Sequence, residues 1–207
     1  MKKYMIVILA FLLIGCIEKS HQTKLTQDIK ATKDPSEVVK DNEKKATEKI
    51  YDNYGELIST ISFNVKTDNK DFKDGIIPWA SIEKTHQDLP NLIDKDEIVI
   101  KQTSIEVIID YPLTNQYEFS LTSQSGFTRS QLLTEISKHY YKIYEEEEKT
   151  ATIKTIPIEK RTTMYNRNQT NGKYGIWGHD IADLVLADIS LFKRSNGEII
   201  VILNIES

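Results

Sequence analysis

The C-terminal end of this chain constrains its fold more than any other stretch. Asn196-Gly197 separates two apolar runs, and this dipeptide is the strongest short-range signal for a tight β-hairpin. A two-residue turn would place Phe192 opposite Val201. Residues 199–205 are apolar on both faces for most of their length, which is typical of a strand covered on both sides. We therefore predict that the last strand is central in a β-sheet.

The clearest helix follows Thr128. Thr128 can cap the helix, and Gln131 at the third helical position completes a capping box. Phe127 before the cap and the fourth helical residue suit a hydrophobic staple. Apolar residues then recur at spacings of three and four and form one stripe: Leu132, Leu133, Ile136, Tyr140 and Ile143. The pattern predicts an amphipathic helix from Arg129 to about Glu146.

Alternating apolar and polar residues predict further strands. Residues 57–65 have period two, with Leu57 on the same face as Phe63. Residues 105–123 read as two antiparallel strands that are joined at residues 112–116, because a proline offers no N–H to a strand ladder. Together these elements predict an α+β fold in which a mostly antiparallel sheet packs against one long amphipathic helix.

The stretch that precedes these strands is polar. Residues 17–49 are rich in lysine and contain no aromatic residue, so they bury too little apolar area to offset the entropy lost on ordering. Asp34-Pro35-Ser36-Glu37 offers a helix start, with proline at the first helical position, and predicts a marginal helix to about Tyr51. We assign residues 16–50 to a polar, partly helical tether and residues 51–207 to a single α+β domain.

The N-terminus carries a secretion signal. Lys2 and Lys3 precede the apolar residues 5–14, and a small residue, Gly15, follows. The apolar run is shorter than the roughly 20 residues that a membrane-spanning helix needs. We therefore predict that residues 1–15 are a signal peptide.

The residues that end this signal, Leu13-Ile14-Gly15-Cys16, resemble the lipobox of bacterial lipoproteins. The resemblance is limited to residues 1–16. It implies that the sulfur of Cys16 carries a diacylglycerol and that cleavage makes Cys16 the first residue. It also implies a partner, the lipid bilayer, and a location at the cell membrane or outer membrane with the domain facing the periplasm or the cell exterior.

Cysteine usage and charge exclude several classes of function. Cys16 is the only cysteine, so a mature domain with acylated Cys16 has no disulfide, thiolate metal site or cysteine nucleophile. Removing Lys2 and Lys3 with the signal peptide takes the formal charge from −4 to −6. An acidic chain is a poor match for nucleic acid, which needs a basic face.

The segment from Tyr174 to Asp180 contains the candidate functional residues. The segment is rich in glycine, aromatic residues and polar side chains, and small-molecule sites combine apolar walls with a few polar groups. Tyr174, Trp177, His179 and Asp180 are therefore candidate contacts for a ligand or partner. The alternative is a structured turn in which Trp177 fills the core edge and His179 satisfies a backbone carbonyl. We expect a buried Trp177 and a partly exposed His179.

His179 and Asp180 are also candidates for a general base and the residue that orients it. Adjacent residues on a strand point to opposite faces, so the two side chains would need a turn to cooperate. A zinc site would need further ligands, and the spacing of His86, Asp88 and His139 does not suggest one. The sequence lacks the Gly-x-Ser-x-Gly, His-Glu-x-x-His and phosphate-loop motifs. We predict no metal and no cofactor.

Two charged features oppose the helix dipole. Four glutamates, residues 145–148, crowd the predicted C-terminus, where cations are favoured. They are interpreted either as a solvated helix end or as carboxylates that meet Lys160, Arg161 or a cation. Arg129 lies in the first turn, where anions are favoured, and is therefore predicted to be held by a carboxylate from elsewhere.

Three functional hypotheses follow. The first is a non-enzymatic lipoprotein domain that binds an envelope protein or a small ligand. The second is an envelope hydrolase that uses His179 and Asp180, and the third is a purely structural envelope protein. A pocket that holds His179 with a second titratable group would favour the enzyme. A flat exposed apolar patch would favour the binding domain.

Overall fold

The computed structural model describes residues 35–47, 52–162 and 167–207. Cys16, the predicted signal peptide and most of the predicted tether lie outside these residues. Lys33–Ser207 forms one compact unit. Within the described residues the α-helices are α1 (Pro35–Thr47), α2 (Thr85–Asp88) and α3 (Arg129–Thr150).

The strands run in chain order from the start of the domain to its C-terminus. They are β1 (Glu56–Ser62), β2 (Val65–Lys66), β3 (Ile76–Ile77), β4 (Ala80–Ser81), β5 (Ile98–Ile100), β6 (Ser104–Ile109), β7 (Tyr117–Thr122), β8 (Phe127–Thr128), β9 (Val185–Lys193) and β10 (Ile199–Glu206). Short 3₁₀ turns lie at Asp52–Tyr54, Leu89–Asn91, Ile158–Lys160 and Ile181–Asp183.

The main sheet has the order β1-β9-β10-β6-β7, and β4 adds to β9. The pairing of β10 with β6 is parallel, whereas the other pairings in this sheet are antiparallel. Strand β10 therefore lies between two neighbours, and its residues from Ile199 to Leu203 are buried on both faces. The predicted α+β fold and the central last strand are confirmed. The predicted antiparallel pair in residues 105–123 is confirmed as β6 and β7.

The register predicted for the final hairpin is wrong by one residue. Phe192 pairs with Ile200 rather than Val201. The cause is a three-residue loop in place of the expected two-residue turn. The N–H of Gly197 donates to the carbonyl of Arg194 at 2.9 Å, and Gly197 has φ 91°. A turn followed by a left-handed residue is the usual form of a three-residue hairpin loop.

The face predicted for Leu57 is also wrong. The pairing of β1 with β9 shifts register between Leu57 and Ser59. This bulge reverses the alternation of side chains. Leu57 is consequently 55% exposed, whereas Ile61 and Phe63 remain in the core.

The long helix is confirmed and extends one turn beyond the predicted end. Its capping box is formed: the N–H of Gln131 donates to Thr128 Oγ1 at 3.2 Å, and the N–H of Thr128 donates to Gln131 Oε1 at 2.9 Å. The predicted apolar stripe is fully buried in the core shared with the sheet. Arg129 is held as predicted, because its Nη1 lies 3.1 Å from Glu97 Oε2.

Helix α1 lies inside the stretch predicted as a tether and contacts the domain. Val39 is only 2% exposed. A Cβ atom built on Gly178 would lie 3.1 Å from Val39 Cγ1, so the Val39 side chain packs closely against the backbone of Gly178. The helix predicted to begin at Pro35 is present, and Val39 and two hydrogen-bond contacts of Glu43, described below, hold it against the domain. Among the described residues, no helix has the length and apolar character to span a bilayer.

Candidate functional site

The segment from Tyr174 to Asp180 packs beside the connection between β6 and β7. The N–H of Trp177 donates to the carbonyl of Pro112 at 3.2 Å, and the N–H of Thr114 donates to the carbonyl of Tyr174 at 3.0 Å. Gly175 has φ 65° and Gly178 has φ 71°, both in the left-handed region that favours glycine.

Trp177 belongs to the buried wall of this region. It is 3% exposed, and its ring meets Tyr111 edge-to-face with the centroids 5.1 Å apart. This geometry is a favourable one for aromatic pairs. The prediction that Trp177 is buried is confirmed.

His179 takes part in a polar cluster that sequence reasoning did not foresee. Its Nε2 lies 2.6 Å from Glu43 Oε1, and its side chain is 14% exposed. The hydroxyl of Tyr111 donates to the same Glu43 oxygen at 3.0 Å and lies 2.8 Å from Ser207 Oγ. Ser207 Oγ is in turn 3.5 Å from His179 Nε2. We call Glu43, Tyr111, His179 and Ser207 the Glu43 cluster.

The phenol of Tyr111 remains protonated throughout the physiological range. Burial raises its pKa, and the Glu43 carboxylate nearby raises it further, whereas the hydrogen bond with Ser207 opposes the shift. A protonated phenol is a hydrogen-bond donor, as its contact with Glu43 requires. The Glu43 carboxylate is therefore positioned from the domain side by Tyr111 and His179.

A cavity of about 920 Å³ lies beside this cluster. Its walls come from α1, the residues after β6, Trp177 and the end of β10. Glu43, Tyr111 and Ser207 line it together with Trp177. The cavity therefore combines aromatic surface with the polar atoms of the cluster.

Asp180 is directed elsewhere. Its carboxylate contacts Arg161, with Arg161 Nη2 at 3.3 Å from Oδ1, and Arg167 Nη1 is 3.4 Å from the same oxygen. The N–H of Asp180 donates to Asp183 Oδ2 at 2.8 Å. His179 and Asp180 thus have different partners, and the carboxylate that contacts His179 is Glu43.

Tyr174 lies at a second polar centre, built on Glu147. Glu147 is 0% exposed. Its Oε1 accepts from Thr170 Oγ1 at 2.6 Å and from the N–H of Gly172 at 2.7 Å, and its Oε2 accepts from the N–H groups of Tyr174 and Gly175 at 2.8 and 3.1 Å. Burial alone would raise the pKa of Glu147, but these four hydrogen bonds outweigh it and the pKa is lowered.

The interpretation of residues 145–148 as a solvated helix end holds for Glu145 and Glu148, which are exposed, but is wrong for Glu147. Glu147 is buried rather than solvated, and its donors are the backbone and a hydroxyl rather than Lys160 or Arg161. Glu146 Oε2 accepts from Lys173 Nζ at 2.8 Å and from Tyr174 Oη at 2.6 Å. The other two glutamates pair with nearby lysines on the surface.

The residues considered as metal ligands, His86, Asp88 and His139, do not form a metal site in the described part of the chain. The ring of His139 stacks on Phe119 with the centroids 3.5 Å apart, and its Nδ1 lies 2.8 Å from Tyr117 Oη. Across the part of the chain that the structure describes, no group of three or more His, Cys, Asp or Glu residues could hold a metal ion.

The Glu43 cluster does not have the geometry of a serine triad. In such a triad the carboxylate and the hydroxyl contact different nitrogens of the imidazole, so that the carboxylate orients the ring and the hydroxyl gives up its proton. Here Glu43 and Ser207 both face Nε2 of His179. The arrangement suits the binding of a polar group more than the activation of a serine.

Glu43, Tyr111 and Ser207 were missed by sequence reasoning. Glu43 belongs to a helix with one buried apolar residue, and Ser207 follows a strand that was analysed only for its apolar core. Tyr111 offered a signal, since it ends a strand directly before Pro112. Glu147 offered a clearer one, because it continues the stripe four residues after Ile143.

Comparison of the chain with models of known protein families, with characterised proteins and with solved structures finds no significant match.

Proposed function

We propose that this chain is a lipid-anchored envelope protein whose folded domain binds a small ligand in the cavity beside the Glu43 cluster. The observation that carries the proposal is the cavity itself, with Tyr111 and Trp177 in its wall and Glu43 and Ser207 at its polar side. Its volume of about 920 Å³ falls within the range typical of small-molecule sites.

The composition of the cavity wall supports binding. Ligand sites combine apolar and aromatic walls with a small number of fixed polar groups that give orientation. Tyr111 and Trp177 supply the aromatic part. Glu43 supplies a polar group whose position is set by two hydrogen bonds from the domain.

The anchor in this proposal rests on the resemblance of Leu13-Ile14-Gly15-Cys16 to the lipobox. Mass spectrometry of the mature N-terminus tests it directly. We expect an acylated Cys16 in the wild-type protein and an uncleaved or soluble species for Cys16→Ser. An unmodified Cys16 in the wild-type protein would contradict the anchor and leave the binding site untouched.

A second candidate function is an envelope hydrolase, and the contact between His179 and Glu43 beside a cavity favours it. A titratable pair next to a cavity is one condition for acid–base catalysis. The orientation of the pair favours binding instead, because Glu43 and Ser207 share one ring nitrogen. If the wild-type protein hydrolyses envelope material and His179→Ala abolishes that activity, the hydrolase would be supported over the binding function.

The binding function is tested by filling the cavity. Ala46 lines it from α1 without being part of the Glu43 cluster. Ala46→Trp should abolish the co-purification of small molecules that mass spectrometry detects with the wild-type protein from its native envelope. Lys40→Trp is the matched control, since Lys40 lies on the same helix, is exposed and does not line the cavity. Equal recovery from both variants would contradict the proposal.

A further inference from the structure

We infer that the cavity beside the Glu43 cluster selects a ligand that carries a protonated alkylamine. The inference rests on the proposed function, because it names the chemical class that the same cavity takes. It is carried by two independent features of the wall, its charge and its aromatic surface.

The charged residues of the wall are mostly acidic. Glu43 on α1, Asp110 after β6 and Glu206 at the end of β10 line the cavity. Lys45 is the basic residue among the described lining residues. Three elements that are distant in the chain thus place acidic residues around one concave surface, and a cleft lined by one sign of charge attracts ligands of the opposite sign.

The aromatic part of the wall favours the same ligand. Tyr111 is half-buried and packs edge-to-face on Trp177. A cation near the face of such a ring is attracted by the ring quadrupole, and the attraction grows when water is displaced. An ammonium group beside Tyr111 would also lie close to Glu43, because the phenol of Tyr111 donates to that carboxylate at 3.0 Å.

Other ligand charges fit less well. An anion would meet the carboxylates of Glu43, Asp110 and Glu206, and like charges at short range are unfavourable. A neutral ligand could donate hydrogen bonds to these acidic residues but would lack the charge–charge attraction that an ammonium gains. An alkylammonium is attracted both by the acidic residues and by the aromatic ring, and its methylene chain can cover the apolar part of the wall.

The test compares three probes of equal length: 1,5-diaminopentane, 1,5-pentanediol and glutarate. Trp177 reports binding by fluorescence in a Trp79→Phe background, since the chain has two tryptophans. We expect the diamine to bind at least about tenfold more tightly than the diol, and glutarate to bind most weakly. Binding of the diamine should weaken as salt is raised, because the charges lie at a solvent-accessible surface.

Variants that remove one negative charge test whether the acidic residues of the cavity cause the preference for the diamine. Glu206→Gln should weaken binding of the diamine by about two- to fivefold and leave the diol unchanged. Glu56→Gln is the control, because it removes the same charge from an exposed residue that does not line the cavity. A blocked tripeptide with a central lysine is tested in parallel, so that a free amine and a peptide side chain are distinguished as sources of the ammonium.

The outcomes also distinguish this inference from the proposed function. Equal affinity for diamine and diol would overturn the selection for amines and leave the binding function standing. Tighter binding of glutarate would likewise overturn it. Absence of any Trp177 response to all three probes and the peptide would overturn the inference, whereas the binding function is judged separately by co-purification from the envelope.

Discussion

Nε2 of His179 lies 2.6 Å from Oε1 of Glu43, although 136 residues separate them in the chain. This contact joins α1 to the segment that follows Trp177. Together with the burial of Val39, it is what seats the helix on the domain and closes one side of the cavity.

Glu43→Ala is expected to loosen α1 without unfolding the domain. A partly exposed polar contact of this kind contributes about 1 kcal/mol, which corresponds to about fivefold faster local opening. Hydrogen exchange of the α1 amides measures this opening, and the exchange of β10 amides should not change. Lys40→Ala is the control, because Lys40 is exposed on the same helix. Unaltered exchange of α1 in Glu43→Ala would show that the contact does not hold the helix.

Glu147→Gln is expected to destabilise the fold by about 2–4 kcal/mol. The carboxylate accepts four hydrogen bonds at its two oxygens, and an amide nitrogen at one of these positions would face N–H donors instead of accepting from them. Urea denaturation measures the change. Glu145→Gln and Glu148→Gln remove the same charge from neighbouring exposed residues and should stay within about 0.5 kcal/mol of the wild type. Similar losses in all three variants would mean that helix charge, rather than the buried network, is responsible.

The architecture could be predicted from the sequence where one residue pattern decides the outcome. The capping box at Thr128 and the apolar stripe fixed α3, and the two-sided apolar run fixed β10 as a central strand. The two predictions that were wrong, the hairpin register and the face of Leu57, each depend on a single extra residue. One additional loop residue before Gly197 moved the hairpin register, and one bulge after Leu57 moved that side chain to the surface.

The candidate site could be predicted only in part, because its residues come from four distant stretches of the chain. Trp177 and His179 were found through the local composition of their segment. Glu43 and Ser207 could not be found, since their contacts are set by where α1 and the end of β10 meet in three dimensions. A hydrogen bond between distant residues leaves no local sequence pattern, whereas a helix that packs through an apolar stripe does.

The stability of the domain is expected to fall in acid because of Glu147. Its pKa is lowered in the folded state, so its ionised form stabilises the fold above the ordinary carboxyl value of 4.5. That stabilisation is lost as the pH falls from 4.5 through the lower pKa of the folded state. Unfolding free energies measured between pH 7 and pH 3 should therefore decline less steeply for Glu147→Gln than for the wild type. Parallel curves for the two proteins would contradict this assignment.

Trp177 and His179 are expected to respond differently to truncation. Trp177→Ala removes a side chain that is 3% exposed, and it should cost about 3–5 kcal/mol. His179→Ala removes a partly exposed side chain and should cost about 1 kcal/mol or less while reducing ligand binding. Thermal unfolding and probe titration of both variants measure the difference. A large loss of stability in His179→Ala would place it among structural residues instead.

A chain that ends after Gly197 is expected to lose cooperative folding. Strand β10 lies between β9 and β6, so its removal leaves each of these strands unpaired along the edge that faced β10, splits the sheet into two parts and uncovers apolar side chains on both faces. Removing an interior strand takes the hydrogen-bond partners from the facing N–H and C=O groups of both flanking strands. It also exposes buried apolar surface to water at the same time. Ile200→Ala provides the comparison: it should cost about 2–5 kcal/mol and still unfold in one transition. Urea denaturation followed by circular dichroism measures both variants. A sigmoidal transition in the truncated chain would show that the sheet is stable without its central strand.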